Sequence, residues 1–159
     1  MPCSKKAMYN SMNNVQWFNK SFEELTTTEL YGLLRSRVDV FVVEQHCPYP
    51  ELDQWDQKAT HLWAEKQRHI AAYCRLFAPG VRFENASIGR VLTTTPFRRQ
   101  ELGKQLMTRA LEILDSAYPG HKVQISAQDY LLEFYSRLGF VSTGKQYLED
   151  GIPHSEMIR

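Results

Sequence analysis

The chain has 159 residues, 43% hydrophobic and 12% aromatic, enough for one real core and too apolar for an intrinsically disordered chain. With 19 Lys and Arg against 18 Asp and Glu, the net charge of +1 offers no broad attraction to nucleic acid or to an anionic membrane. No apolar run approaches the ~20 residues of a membrane span, and no signal core follows the basic stretch Met1–Lys6, so a cytoplasmic protein is expected.

Residues 1–13 read as a flexible lead and 14–159 as one domain, without repeats or an interdomain linker. Residues 15–20 suit an edge strand. Thr26 with Glu29 three residues on is a capping box, and the helix it opens carries Leu30, Leu33, Leu34, Val38 and Phe41 on one face to about Glu44. The two prolines and several acids of 45–57 predict an irregular excursion. There Glu51, Asp53 and Asp56 read either as a solvated loop or as a lure for a cationic acceptor. Strands are predicted at 60–66 and 70–77, joined by a turn near Gln67 and Arg68, and at 87–94 after a turn containing Pro79 and Gly80. Leu102, Leu106, Ala110, Leu111 and Leu114 place an amphipathic helix from about 101. A strand at 123–127, a short helix closed by Gly139, and a hairpin of 140–147 with 152–158 around Asp150 and Gly151 complete the chain. This order predicts a mixed α/β sheet with helices on both faces.

Cys3, Cys47 and Cys74 are widely spaced and form no Cys-x-x-Cys pair, so neither a disulfide framework nor a zinc site is expected. Cys74 lies in the apolar run 70–77 and reads as core; Cys47 follows His46, but adjacent residues seldom face each other productively. His46, Asp53, Asp56 and His61 match no standard metal-ligand spacing, and no metal is expected.

The most informative stretch is Arg98-Arg99-Gln100-Glu101-Leu102-Gly103, followed by Lys104. A strand runs here into a basic turn that opens a helix, which presents unpaired backbone N–H groups and a positive dipole end to a phosphate. The alternative is an ordinary turn with a solvated cationic cluster. A second stretch, Phe134-Tyr135-Ser136-Arg137-Leu138-Gly139-Phe140, follows at the right separation. Together they resemble the GCN5-related N-acetyltransferases (GNAT superfamily), with their Gln/Arg-x-x-Gly-x-Gly/Ala pyrophosphate loop and their Phe-Tyr pair before a Leu-Gly-Phe turn. The first glycine of that loop is Glu101 here. Val42 to Tyr49, the acids Glu51, Asp53 and Asp56, His61, and Glu149 to His154 are similar to the ElaA-like subfamily.

The resemblance implies a mostly antiparallel central sheet splayed between the two strands that flank the cofactor, and direct transfer of acetyl from acetyl-CoA, as co-substrate, to an amine. An oxyanion is then held by a strand N–H. Val91, Leu92 and Thr93 are expected to bond the pantetheine and acetyl groups. Arg98, Arg99, Gln100, Glu101, Leu102, Gly103 and Lys104 are expected to cradle the pyrophosphate, and Gln128 to contact the cofactor. Tyr135 is expected to protonate the departing thiolate, which a group with pKa ~10 can do at neutral pH; otherwise it is a packing aromatic. Glu44, His154 and His61 are the candidate bases, each with a bland reading as a surface charge, hairpin polar group or strand residue. The acceptor, a small-molecule or peptide amine, stays open, as does monomer against homodimer. The rival function is a catalytically idle acyl-CoA-binding or regulatory module. The absence of Gly-x-x-x-x-Gly-Lys-Ser/Thr and Gly-x-Gly-x-x-Gly argues against a nucleotide enzyme.

Overall fold

Neighbouring residues on a strand point to opposite faces of a sheet, and the central strands here bury both faces. On β2 (Thr60–Lys66), Leu62 and Ala64 join one core while Trp63 between them joins another. The computed structural model describes residues 14–159, so the lead expected over 1–13 lies outside the described residues. The other elements are β1 (Gln16–Ser21), α1 (Thr27–Arg37), β3 (His69–Phe77), β4 (Ala86–Thr93), α2 (Leu102–Ala117), β5 (Val123–Gln128), the short α3 (Leu132–Ser136), β6 (Val141–Glu149) and β7 (Ile152–Ile158). They form one sheet in the order β1-β2-β3-β4-β5-β7-β6. Its larger core lies under α2, through Leu102, Leu106, Ala110, Leu111 and Leu114; the smaller one, with Leu33, Trp63, Tyr73 and Leu92, lies under α1.

All pairings are antiparallel except that of β4 with β5, and this exception positions the site. The two strands pair only at Ala86 with Val123 and Ser87 with Gln124, and then diverge. Each keeps its other neighbour, β4 to Thr93 against β3 and β5 to Gln128 against β7, so a gap opens within an otherwise continuous sheet. The expected splay is therefore present. A bulge sharpens it: Tyr73 faces Leu92 and Arg75 faces Gly89, which leaves β4 one residue longer over this step. Arg90 lies in the bulge with φ 54°, and the bulge re-aims its side chain.

The capping box of α1 is formed, with Glu29 N–H donating to Thr26 Oγ1 at 3.2 Å and Thr26 N–H to Glu29 Oε2 at 2.8 Å, a cap worth about 1 kcal/mol. The helix reaches Glu44 as expected, but its last seven residues, Val38–Glu44, wind more widely as a π-helix, a variant frequent at functional sites. Gly139, at φ 89°, closes α3 with Phe140 N–H donating to Tyr135 C=O at 3.2 Å. Among the described residues no helix is long and apolar enough to cross a membrane.

Candidate active site

The gap between β4 and β5 opens into a cavity of about 770 Å³ that reaches from α3 to the π-helical end of α1 and the β6–β7 hairpin. Val91, Leu92, Thr93, Gln128 and Tyr135 line it, together with Glu44 and His154. A smaller hollow of about 330 Å³ continues past Thr93 and Phe134 to the start of α2, where Arg98, Arg99, Glu101, Leu102, Gly103 and Lys104 bound it. Gln100 lines neither space: its side chain accepts from Lys66 Nζ at 2.6 Å and donates to Pro96 C=O at 3.3 Å.

The turn before α2 keeps the glycine's backbone conformation without the motif's first glycine. Glu101 caps the helix in the left-handed region at φ 59°, and Arg99 sits there too at φ 60°. This is the conformation glycine adopts freely and other residues adopt under strain. The first intrahelical bond runs from Gln105 N–H to Glu101 C=O at 3.0 Å. The N–H groups of Leu102, Gly103 and Lys104 therefore precede the hydrogen-bond ladder and remain available to an anion. A Cβ on Gly103 would lie in ordinary contact with Thr93 Oγ1 at 3.5 Å and Phe134 at 3.8 Å. Along β4, the carbonyl and amide groups that face β5 lose their strand partner beyond Ser87, which leaves a bonding edge at Val91 and at the Thr93 N–H, while the Thr93 carbonyl accepts from Arg98 Nε at 3.0 Å.

Tyr135 is 5% exposed, with its ring edge-on to Phe134 at 5.1 Å and Phe140 at 6.0 Å. Burial pushes its hydroxyl well above the ordinary tyrosine range. The residue lines the cavity, and its hydroxyl has no hydrogen-bond partner among the described residues.

The three candidate bases have different surroundings. His154 Nδ1 lies 2.8 Å from Ile152 C=O. A carbonyl only accepts, so Nδ1 carries a proton, and the tautomer this selects has its lone pair on Nε2. Tyr147 stacks on the ring at 6.1 Å. Glu44 is held by Arg98 Nη2 at 2.6 Å and by Thr95 Oγ1 at 3.0 Å, so an expected phosphate ligand and an expected base are paired with each other. His61 does not line the cavity: it is fully buried, donates from Nε2 to Asp56 C=O at 3.0 Å and accepts from Tyr73 Oη at 2.8 Å. Both its nitrogens are occupied, and burial pushes its pKa below the ordinary value.

The acids of the excursion need correcting. They are neither solvated nor free for a cationic acceptor. Glu51 is 3% and Asp56 6% exposed, and with Asp53 they bind Arg37, Arg75 and Arg90. Arg37 reaches Glu51 at 2.5 Å and also pairs with Asp56; Arg75 holds Asp53 through two bonds of 2.7 and 2.8 Å; Arg90 reaches Glu51 at 2.7 Å. Burial opposes ionisation of Asp53, but the bonds from Arg75 hold it well below the carboxylate range. Such a network fixes one wall of the cavity, because leaving any member unpaired costs about 3–5 kcal/mol. Cys74 is buried as expected, and Cys47 donates to Asp150 C=O at 3.6 Å, fastening the excursion to the β6–β7 turn.

Sequence reasoning missed Gln45, Arg82 and Tyr147. Gln45 and Gln128 exchange amide bonds of 3.4 and 3.3 Å across the cavity, and Tyr147 Oη donates to Ser126 Oγ at 2.5 Å. These contacts join segments 83 and 21 residues apart, and no local pattern announces them.

A sheet parted between its parallel neighbours, with a helix N-terminus at one end of the gap, is the architecture of the acyl-CoA N-acyltransferases. A family model described as an acetyltransferase (GNAT) domain matches residues 27–159, and the chain belongs to that family. Protein ElaA of Escherichia coli K12 is 37% identical over 147 residues, 91% of this chain and 96% of that protein. The crystal structure of E. coli ElaA superposes with a TM-score of 0.86 at 36% identity, covering 92% of this chain and 99% of the other. An acyl-CoA N-acyltransferase from Pseudomonas aeruginosa gives the same TM-score, 0.86, at 42% identity and the same coverages of 92% and 99%. The expected family, subfamily and fold therefore hold, and the chain is an N-acetyltransferase by class.

Proposed function

We propose that the protein transfers acetyl from acetyl-CoA directly to an amine, small molecule or peptide, with His154 as base and Tyr135 as general acid. The observation that carries this reading is the pairing, in one cavity, of an unpartnered Tyr135 hydroxyl with a His154 ring whose tautomer leaves Nε2 free. The amine nitrogen loses its proton to His154 Nε2, directly or through one water, and attacks the thioester carbonyl carbon. An N–H of the unpaired β4 edge at Val91 to Thr93 stabilises the oxyanion. The C–S bond then breaks, and the thiolate takes its proton from the Tyr135 hydroxyl. The N–H groups of Leu102, Gly103 and Lys104, with Arg98, Arg99 and Lys104 around them, bind the pyrophosphate, and Gln128 contacts the cofactor. Glu44 keeps its carboxylate committed to Arg98 and Thr95 until a phosphate draws Arg98 away.

The test is turnover of acetyl-CoA against polyamines, amino acids, aminoglycosides and peptides. Thiol release and product mass are read together. Acetylated product from at least one amine is expected. Calorimetric binding of acetyl-CoA with no product from any amine would identify an idle acyl-CoA-binding module instead.

A further inference from the structure

Arg82, in the loop from β3 to β4, lines the same cavity but belongs to none of the machinery above. Its guanidinium lies over three rings, 5.1 Å from the centre of Trp55, 5.7 Å from Phe77 and 5.8 Å from Phe83, with the side chain 26% exposed. Among the described residues it donates no hydrogen bond. One carboxylate oxygen there lies within 4 Å, Asp53 Oδ2 at 3.9 Å, and it already accepts from Arg75 at 2.8 Å and Arg90 at 3.3 Å. Beneath Arg82, the guanidinium groups of Arg37, Arg75 and Arg90 are matched by the carboxylates of Glu51, Asp53 and Asp56. Among these four arginines, Arg82 is the one with no hydrogen-bonded carboxylate among the described residues. Burial, then the fields of Arg75 and Arg90, pull its pKa below the ordinary arginine value against Asp53 and Glu149. On the β6 side of the cavity Glu149 accepts from Ser126 Oγ at 3.2 Å, with Asp150 and His154 on the same wall, while Lys145 there is paired with Glu156 at 3.4 Å.

We propose that the acceptor is an amine that also carries a carboxylate, an amino acid or a short peptide with a free C-terminus, and that Arg82 binds that carboxylate. This rests on the acetyltransferase reading. A guanidinium backed by aromatic rings is held in plane and presents paired N–H donors in the geometry of a carboxylate. An incoming carboxylate neutralises the surplus charge, while its amine lies toward His154 and Glu149.

Matched acceptors that differ only in this group test the proposal: amino acids against their amides, and dipeptides against dipeptide amides. The readout is the ratio of kcat/KM for acid over amide at one pH, measured within each protein, so that neither the amine's own pKa nor the fraction folded affects the comparison between variants. Arg82→Gln should lower that ratio at least tenfold, and Arg82→Lys should keep part of it. The amino-acid and dipeptide arms show which source of carboxylate the cavity accepts. A ratio moved less than twofold by Arg82→Gln, or dicationic amines preferred over both arms by the wild type, would overturn it. If no amine is acetylated, the acetyltransferase reading fails first. Calorimetric titration of the same pairs into the protein with coenzyme A then decides: equal affinity for acid and amide refutes the role of Arg82.

Discussion

Replacing Tyr135 with phenylalanine removes one oxygen from the wall of the cavity and leaves the ring packed edge-on against Phe134 and Phe140. The perturbation therefore isolates the proton. Burial raises the Tyr135 hydroxyl above the ordinary tyrosine range, while a thiol leaving group has a pKa of about 8.5. Proton transfer from tyrosine to thiolate is uphill on that scale, so most of the rate effect comes from the hydrogen bond to the charge growing on sulfur, with the proton following as coenzyme A leaves. A hydrogen bond to a charged group is worth about 1.5–3 kcal/mol, and at 1.36 kcal/mol per decade this predicts a loss of kcat of roughly 10- to 150-fold. That is the lower part of the ~10²–10⁴ range of general acid catalysis and below it. The assay is thiol release at saturating acetyl-CoA on a good acceptor, with cofactor affinity measured separately by calorimetry. Affinity should be little changed. A kcat within about twofold of wild type, with chemistry rate-limiting, would remove Tyr135 from the mechanism and leave it a core aromatic.

Glu101→Gly relieves a left-handed residue at φ 59° and removes a carboxylate beside the phosphate cradle. A gain of about 1 kcal/mol, read as a Tm higher by about 2–4 °C, is expected together with equal or tighter acetyl-CoA binding. Most of the cofactor affinity disappearing would instead give Glu101 a positive role. Glu44→Gln frees Arg98 from an ion pair that is about 40% exposed on both sides, so acetyl-CoA should bind about two- to fivefold tighter, as befits a surface pair. A fall in kcat of more than about 10² in that variant would make Glu44 the base in place of His154. His61, buried with a lowered pKa, stays neutral in the fold while the unfolded chain takes up a proton below about pH 6.5. Stability present above that pH is therefore lost on acidification, seen as a falling Tm between about pH 7 and 5, and His61→Gln should flatten the slope. An unchanged slope would mean that another group sets it.

The site divides into parts that are local in the chain and parts that are not. The proposed phosphate cradle is local: a strand, a basic turn and a helix start lie within 88–105, and the unpaired N–H groups follow from helix geometry alone. Tyr135 is local too, announced by the Phe134 to Phe140 run, and so are the capping box of Thr26 and Glu29 and the hairpin around Gly151. Periodicity sufficed for these because each element is set by residues three or four apart, or by alternation along one strand. Even Glu101 was legible as a departure from the pattern, although only its φ shows that a glutamate occupies the glycine's conformation.

The acceptor end depended on the tertiary structure. Glu51, Asp53 and Asp56 read as a wet acidic loop, yet Glu51 and Asp56 are buried, Asp53 is partly so, and all three are paired with arginines from α1, β3 and the bulge of β4. An ion pair across 14 to 39 residues leaves no periodic trace, and one extra residue in β4 is enough to turn Arg90 toward it. The same holds for the bases. Sequence alone offered Glu44, His61 and His154 on similar terms, because it shows a titratable group but not its partners. Folding ties Glu44 to Arg98, closes both nitrogens of His61, and turns His154 so that a backbone carbonyl fixes its tautomer. Local pattern thus determined the family and the strand, turn and helix start proposed to hold the cofactor, while long-range packing decided which charges remain free, since only packing removes water and supplies partners.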